Sequence, residues 1–144
     1  MIKAILWLGA LVGLVAVPAA AQQGGYVVIV HEANGISALR TDEVSKIFFK
    51  KAHRWPDGID VVPVDLPESA PAREAFSAAV HGKSVGAVRA YWQQQIFSGR
   101  AVPPAEKASD EQVVAFVRAT PGAIGYVSTG ATISPGVRRI QVVR

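Results

Sequence analysis

The stretch Ile59–Phe76, IDVVPVDLPESAPAREAF, decides the fold of this chain. Its beginning, Ile59–Val64, is mostly apolar and β-branched, which predicts a buried strand. Asp65–Ala70 follow as a short loop, and Pro71 is typical of the first position of a helix. Because the N–H groups that begin a helix have no partner within it, a loop at this position favours the binding of anions. The stretch therefore predicts a strand-to-helix unit and a candidate anion site.

The rest of the chain repeats this alternation of strands and helices, which predicts an α/β domain. Tyr26–Val30 is apolar at nearly every position and suits a strand buried on both faces, as in a parallel sheet. Two more strands and four helices follow from the same criteria: strands at Ala123–Val127 and Ile140–Val143, and helices that begin at Thr41, Pro71, Ser84 and Ser109. Hydroxyl residues before three of these helices are expected to cap them: Thr41, Ser84 and Ser109. The helical periodicity places several side chains in the core: Val44, Ile47, Phe48, Ala72, Ala75, Phe76, Ala79, Val88, Trp92, Ile96, Val113, Val114, Phe116 and Val117.

Residues 1–21 have the pattern of a secretory signal peptide. Lys3 gives a positive start, Ala4–Val17 form an apolar run, and Ala19–Ala21 provide a small-residue cleavage site. The alternative is a membrane anchor, but the apolar run is shorter than the roughly 20 residues that a bilayer requires. We therefore expect cleavage after Ala21, a single mature domain of residues 22–144, a periplasmic location and no membrane span after cleavage.

Composition argues against most catalytic and metal sites. The chain has no cysteine, which excludes disulfides, thiol nucleophiles and thiolate metal ligands. Its three histidines are far apart in sequence, and no pair of carboxylates suggests acid–base catalysis. The formal net charge of +4 is a modest excess that favours small anions or envelope surfaces over nucleic acid. We expect no enzyme activity, no cofactor and no metal.

Two further features could be taken for functional sites. Gly82–Gly86, GKSVG, matches the Gly-x-Ser-x-Gly pattern of serine hydrolases, but that motif requires a preceding strand. The residues before Ser84 read as a helix, so Ser84 is expected to cap the helix that follows it. Trp55, Tyr91 and Trp92 could stack on a ligand, although such residues more often lie in the core.

Several motifs resemble the substrate-binding proteins of phosphate ABC transporters, which have a type II periplasmic-binding fold. The matching segments span most of the chain: Ile47–Lys50, Trp55–Gly58, Ile59–Val64, Tyr91–Trp92, Ile96–Gly99 and Gly122–Val127. The full-length members of that family have two lobes, and this chain is long enough for one. The resemblance therefore implies one lobe of that fold, with a mixed sheet flanked by helices.

The resemblance also implies a ligand-binding set in the loop after the deciding strand. The family places an Arg and then Ser-Gly-Thr in this loop. Here Asp65 stands in place of the Arg, and Ser69, Ala70 and Pro71 stand in place of Ser-Gly-Thr. Ser69 carries over as a hydroxyl donor, Arg73 could supply the missing positive charge, and Asp65 either ties down the loop or takes part in ligand selection. These residues imply weak binding of phosphate or a related oxyanion.

Two functions remain open at this point. The first is an exported solute-binding module that captures an oxyanion weakly and works with an ABC permease. The alternative is an envelope interaction module that has lost ligand binding and docks on a sensor or transporter. An anion site around Ser69 would favour the first, whereas an apolar surface where the missing lobe would pack would favour the second.

Overall fold

The structure of the protein is a computed structural model that describes residues 25–144. The expected signal peptide, residues 1–21, lies outside the described residues, and its cleavage stays a prediction. No helix between residues 25 and 144 combines the length and the apolar character needed to cross a bilayer.

A six-stranded mixed sheet forms the centre of the fold, in the order β2-β6-β1-β5-β3-β4. The strands are β1 (Tyr26–His31), β2 (Ala38–Arg40), β3 (Val62–Asp65), β4 (Ala105–Glu106), β5 (Ala123–Ser128) and β6 (Val137–Val143). The central strand β1 is antiparallel to both of its neighbours, β5 and β6. Strand β3 is parallel to β5 on one side and to β4 on the other. The predicted α/β class with a mixed sheet is therefore confirmed.

The expectation of parallel pairing for the first strand was wrong. Val28, Ile29 and Val30 are buried, as their apolar run predicted. An apolar run indicates that both faces of a strand are buried. A central strand can be buried on both faces whether its neighbours are parallel or antiparallel.

Residues 25–144 contain four α-helices: α1 (Thr41–Phe48), α2 (Pro71–Phe76), α3 (Val85–Phe97) and α4 (Asp110–Ala119). Helices α1, α2 and α4 pack against strands of the sheet, whereas α3 packs against the turn that follows α2. The chain continues from α2 into a π-helical turn, Ser77–His81. Two predicted caps are confirmed, because Ser84 Oγ accepts a hydrogen bond from the N–H of Ala87 at 3.1 Å and Ser109 Oγ accepts one from Gln112 at 3.2 Å. Ser84 follows a π-helical turn rather than a strand, which rules out the hydrolase geometry.

The predicted cap at Thr41 was wrong. Helix α1 is capped one residue earlier, where the N–H of Arg40 donates to the carboxylate of Glu43 at 2.7 Å. Thr41 instead donates its hydroxyl to the carbonyl of Val143 at 3.1 Å. This contact joins the start of α1 to the end of β6.

Three aromatic rings pack together in the core, those of Phe48, Phe76 and Tyr126. The rings of Phe76 and Tyr126 lie 3.9 Å apart and nearly parallel, and Phe48 packs edge-on against Phe76 at 4.8 Å. Trp55 and Trp92 are buried as predicted. Trp55 also donates its indole N–H to the carbonyl of Gly122 at 3.0 Å.

Two core predictions on the helices failed. Ala79 is exposed because it lies in the π-helical turn, where the wider winding shifts the inward face to Ser77 and Val80. Ile96 is exposed in the last turn of α3. The predicted strand at Ile59–Val64 also begins later, at Val62, and extends to Asp65.

Candidate functional site

The loop that follows β3 lies where three parallel strands bring functional side chains to one edge of the sheet. Strand β3 ends at Asp65, which pairs in register with Glu106 of β4. Tyr126 lies on β5, the other neighbour of β3. Helix α2 begins at Pro71 and brings Arg73 to the same place. In α/β sheets, the carboxyl ends of the strands are the usual position of ligand sites.

A buried hydrogen-bond network connects these residues. Tyr126 donates its hydroxyl to Asp65 Oδ1 at 2.7 Å, and the N–H of Leu66 lies 3.4 Å from the same hydroxyl oxygen. Arg73 Nη1 donates to the carbonyl of Leu66 at 2.6 Å. The same Nη1 atom lies 3.4 Å from Asp65 Oδ1 and 3.4 Å from Glu106 Oε1. The guanidinium group is thus surrounded by three acceptors of the chain itself.

Burial gives this network its electrostatic character. Arg73 is 5% exposed and Asp65 is 6% exposed. Burial raises the pKa of Asp65 to about 6, against the opposing effects of Arg73 and of the Tyr126 hydrogen bond. Burial alone would lower the pKa of Arg73, but the neighbouring acidic groups, Asp65 first, hold it above its usual value. Burial also raises the pKa of Tyr126. Arg73 therefore stays charged and is oriented by its carboxylate neighbours.

The predicted site residues occupy different environments. Ser69 is exposed on the loop, and Ala70 is half-buried immediately before α2. Arg73 and Asp65 are in contact with each other beneath the loop rather than on its surface. The carboxylate of Asp65 accepts the Tyr126 hydroxyl and lies 3.4 Å from Arg73 Nη1, so its contacts here are with side chains of the fold.

The expected set of unpaired N–H groups at the start of α2 is largely absent from this part of the described structure. Ala70 donates its N–H to the carbonyl of Pro67 at 3.0 Å, and Arg73 and Glu74 both donate to the carbonyl of Ala70. Pro71 has no N–H to offer. The helix start therefore provides little of the backbone attraction for anions that the sequence indicated, and the cation of Arg73 is the stronger feature.

Sequence analysis missed two members of the network, Glu106 and Tyr126. Tyr126 lies within the segment Gly122–Val127, and its burial could have been inferred from the apolar residues around it. Glu106 lies in a Pro-bearing segment that reads as a loop, and a two-residue strand leaves no periodic signal. Its proximity to Arg73 comes from strand pairing alone.

The cavity beside the loop does not provide a better anion site, and no metal site is evident among the described residues. A cavity of about 660 Å³ adjoins the loop, and its charged lining residues are Glu68, Glu74 and Lys83. Two carboxylates and one cation do not favour an anion. Across residues 25–144, no three His, Asp or Glu side chains are grouped so that they could hold a metal ion.

Comparison with known proteins assigns the family. Residues 13–139 match the PBP superfamily domain. The chain belongs to the PBP superfamily. No curated protein sequence matches the chain.

Several solved structures share the fold. An ABC-type phosphate transport receptor from Vibrio cholerae superposes with a TM-score of 0.64 at 17% identity, over 82% of this chain and 46% of the receptor. A putative phosphate ABC transporter substrate-binding protein with bound phosphate from Clostridium perfringens superposes with a TM-score of 0.64 at 20% identity. The superposition covers 83% of this chain and 46% of that protein. PstS from Borrelia burgdorferi superposes with a TM-score of 0.63 at 14% identity, over 88% of this chain and 54% of PstS.

The PBP-superfamily chain spans about half the length of these solved relatives. The predicted fold, one lobe of a periplasmic-binding protein, is confirmed, and so is the predicted resemblance. At these sequence identities the likeness establishes the fold, and the ligand has to be argued from the residues of this chain.

Proposed function

We propose that the chain is an exported solute-binding module that binds phosphate or a related oxyanion weakly and works beside an ABC transport system. The observation that carries this proposal is the position of Arg73. It is a buried cation at the carboxyl edge of the sheet, in the loop region where the fold carries ligands.

Arg73 retains donors that could bind an oxyanion. Its recorded hydrogen bonds all run through Nη1. Nε and Nη2 make no hydrogen bond with another residue of the described range 25–144. In this proposal these two nitrogens are the donors to the ion. A guanidinium with two available donors suits the oxygens of phosphate or sulfate.

Ser69 and Ala70 complete the proposed site on the side of the loop. The exposed hydroxyl of Ser69 can donate to an oxyanion, and Ala70 fixes the turn that precedes α2. In this proposal Asp65 does not contact the ligand. It holds the guanidinium of Arg73 in place through a buried ion pair.

The same surroundings make the binding weak. Asp65 and Glu106 place two carboxylates beside one cation, and the helix start contributes few unpaired N–H groups. The loop that carries Ser69 is exposed, so water at the site screens each charge-assisted bond. We expect a dissociation constant for phosphate no tighter than about 100 μM.

Thermal-shift and calorimetric titrations with phosphate and sulfate test the proposal. The wild type should be stabilised at millimolar ion concentrations, and Ser69→Ala should weaken that response. Ser84→Ala is the matched control, because Ser84 caps α3 and should affect stability without changing the response. Absence of stabilisation in the wild type, or binding at micromolar concentrations or below by a monomer, would contradict it.

A second function is favoured by an exposed apolar surface at the end of α3. We call Ile96, Phe97 and Val102 the apolar tip; all three side chains are exposed, and Phe97 is 96% exposed. Apolar surfaces of this kind commonly mark protein contacts. Under this alternative, the lobe docks on an envelope partner and binds no ion. Failure of all oxyanions to stabilise the wild type would favour it over the first function.

A further inference from the structure

We propose that Glu106 acts as an internal counter-ion of Arg73, which an oxyanion must displace in order to bind. This inference rests on the proposed oxyanion function and identifies the residue that limits affinity. It assigns to Glu106 a regulatory contact at the loop site rather than a role in the core.

The three acceptors around Arg73 Nη1 differ in how easily they can be replaced. The carbonyl of Leu66 belongs to the backbone and lies 2.6 Å from Nη1. The carboxylate of Asp65 is buried and also accepts the hydroxyl of Tyr126. Neither acceptor can leave without disturbing the core. Glu106 lies 3.4 Å from Nη1, and its side chain is 52% exposed.

Glu106 is therefore the exchangeable partner of the three. Half-exposed ion pairs at such distances contribute little to stability, because water competes for both charges. Its backbone, in contrast, is fixed: Glu106 pairs with Asp65 in the sheet, and the next N–H, of Lys107, donates to the carbonyl of Asp65 at 2.9 Å. The carboxylate is thus held near the guanidinium and can still swing into solvent.

Glu106 is thus a half-exposed carboxylate next to a buried guanidinium. An incoming oxyanion would compete with Glu106 for the guanidinium and would be repelled by its negative charge. Removal of that charge should leave Arg73 paired with Asp65 alone, so that one carboxylate balances one cation. Oxyanion affinity should then rise while the buried part of the network remains.

Glu106→Gln and Glu106→Ala test the proposal, with Glu111→Gln as the matched control. Glu111 is an exposed residue in the first turn of α4, and its replacement changes the net charge of the protein by the same amount. Each purified protein is titrated calorimetrically with sodium phosphate and sodium sulfate at constant ionic strength, because salt screens these interactions. Urea unfolding without ligand verifies that each variant is folded. If Glu106→Gln does not fold, Glu106→Ala is used for the titrations.

We expect both Glu106 variants to bind phosphate and sulfate about tenfold more tightly than the wild type. Glu111→Gln should bind as the wild type does. During the titration, the Nε–H resonance of Arg73 should shift in the Glu106 variants, which places the ion at this guanidinium.

The outcomes separate this proposal from the function on which it rests. If the wild type binds weakly and the Glu106 variants bind with the same affinity, the counter-ion proposal is wrong and the oxyanion function stands. Equal gains in the Glu106 and Glu111 variants would also overturn it, since they would reflect overall charge. If neither the wild type nor any Glu106 variant binds, both the function and the counter-ion role fall. Binding seen only in the Glu106 variants would support the counter-ion role.

Discussion

His81 is a buried histidine next to the site, and its protonation can be tested through the pH dependence of stability. It ends the π-helical turn that continues α2, and its Nδ1 lies 2.8 Å from the hydroxyl oxygen of Ser45. Its ring packs 4.4 Å from that of Phe49. Burial first, and then the positive charges of Arg73 and Lys83, lower the pKa of His81 from 6.5 to about 4. The imidazole should therefore be neutral in the folded protein at every pH above about 5.

Because of its lowered pKa, His81 should reduce the stability of the folded protein as the pH falls from 7 to 5. The unfolded chain binds a proton at His81 near pH 6.5, whereas the folded protein binds it only near pH 4. Between these values the unfolded state holds more protons, so stability falls as the pH falls. The loss between pH 7 and pH 5 is about 2 kcal/mol.

Asp65 has the opposite effect on stability between pH 7 and pH 5. Because burial raises its pKa from 3.8 to about 6, the folded state binds more protons than the unfolded state between these values. Stability from this group rises as the pH falls, by about 1 kcal/mol between pH 7 and pH 5. The wild type should thus show a small net dependence, and only a comparison of variants isolates His81.

Urea unfolding of the wild type and His81→Gln at pH 7 and pH 5 measures the difference. Gln preserves a polar partner for Ser45 and cannot be protonated. Relative to the wild type, His81→Gln should be more stable at pH 5 than at pH 7 by about 2 kcal/mol. His53→Gln is the control, because it makes the same substitution at an exposed position. A His81→Gln variant with the pH dependence of the wild type would refute the buried, neutral imidazole.

Three further predictions concern the network, a helix cap and export. Tyr126→Phe should lower the free energy of urea unfolding by about 1–3 kcal/mol, because the carboxylate of Asp65 loses a buried hydrogen-bond donor. Tyr91→Phe is the control at a partly exposed tyrosine, and equal losses in the two variants would contradict the contribution of the Tyr126 hydrogen bond. Ser84→Ala should cost about 1 kcal/mol in the same assay, and no loss would mean that the cap is dispensable. Mass spectrometry of protein from the envelope fraction should find Gln22 at the mature N-terminus, and an intact leader would disprove cleavage.

Local signals in the sequence were sufficient for most of the fold. Ser84 and Ser109 cap their helices through N–H groups three residues away, so the pattern that predicts them is complete within one turn. The buried run in β1 was recognised from its apolar residues, although its antiparallel pairing was not. Pairing direction depends on chain connections across the whole sheet, which no single strand encodes.

The features that the sequence did not predict depend on contacts between distant residues. Thr41 has the right side chain for a cap, but the carbonyl of Val143 at the end of β6 takes its hydroxyl. Arg73 was recognised as a candidate cation, whereas its ion pair with Glu106 arises from the pairing of β3 with β4. Ala79 lost its predicted place in the core because the π-helical turn changes the helical phase, and no residue in that segment signals the change.

The lobe compensates a buried cation with acceptors of its own chain. Arg73 is nearly inaccessible, and a buried charge without a partner costs several kcal/mol. Its partners here are Asp65, Glu106 and the carbonyl of Leu66, all from the chain itself. If these contacts stabilise the fold, they must also oppose any anion that competes for the same guanidinium.

This reasoning predicts a trade-off between stability and affinity at Glu106. A series of Gln, Ala and Ser variants at this position should bind sulfate more tightly than the wild type and unfold at lower urea concentrations without ligand. The losses should be below about 1 kcal/mol, since the pair is half-exposed. The same series at Glu111 should show no such relation. Variants of Glu106 in which stability and affinity rise together would contradict the trade-off, because the carboxylate would then oppose both folding and binding.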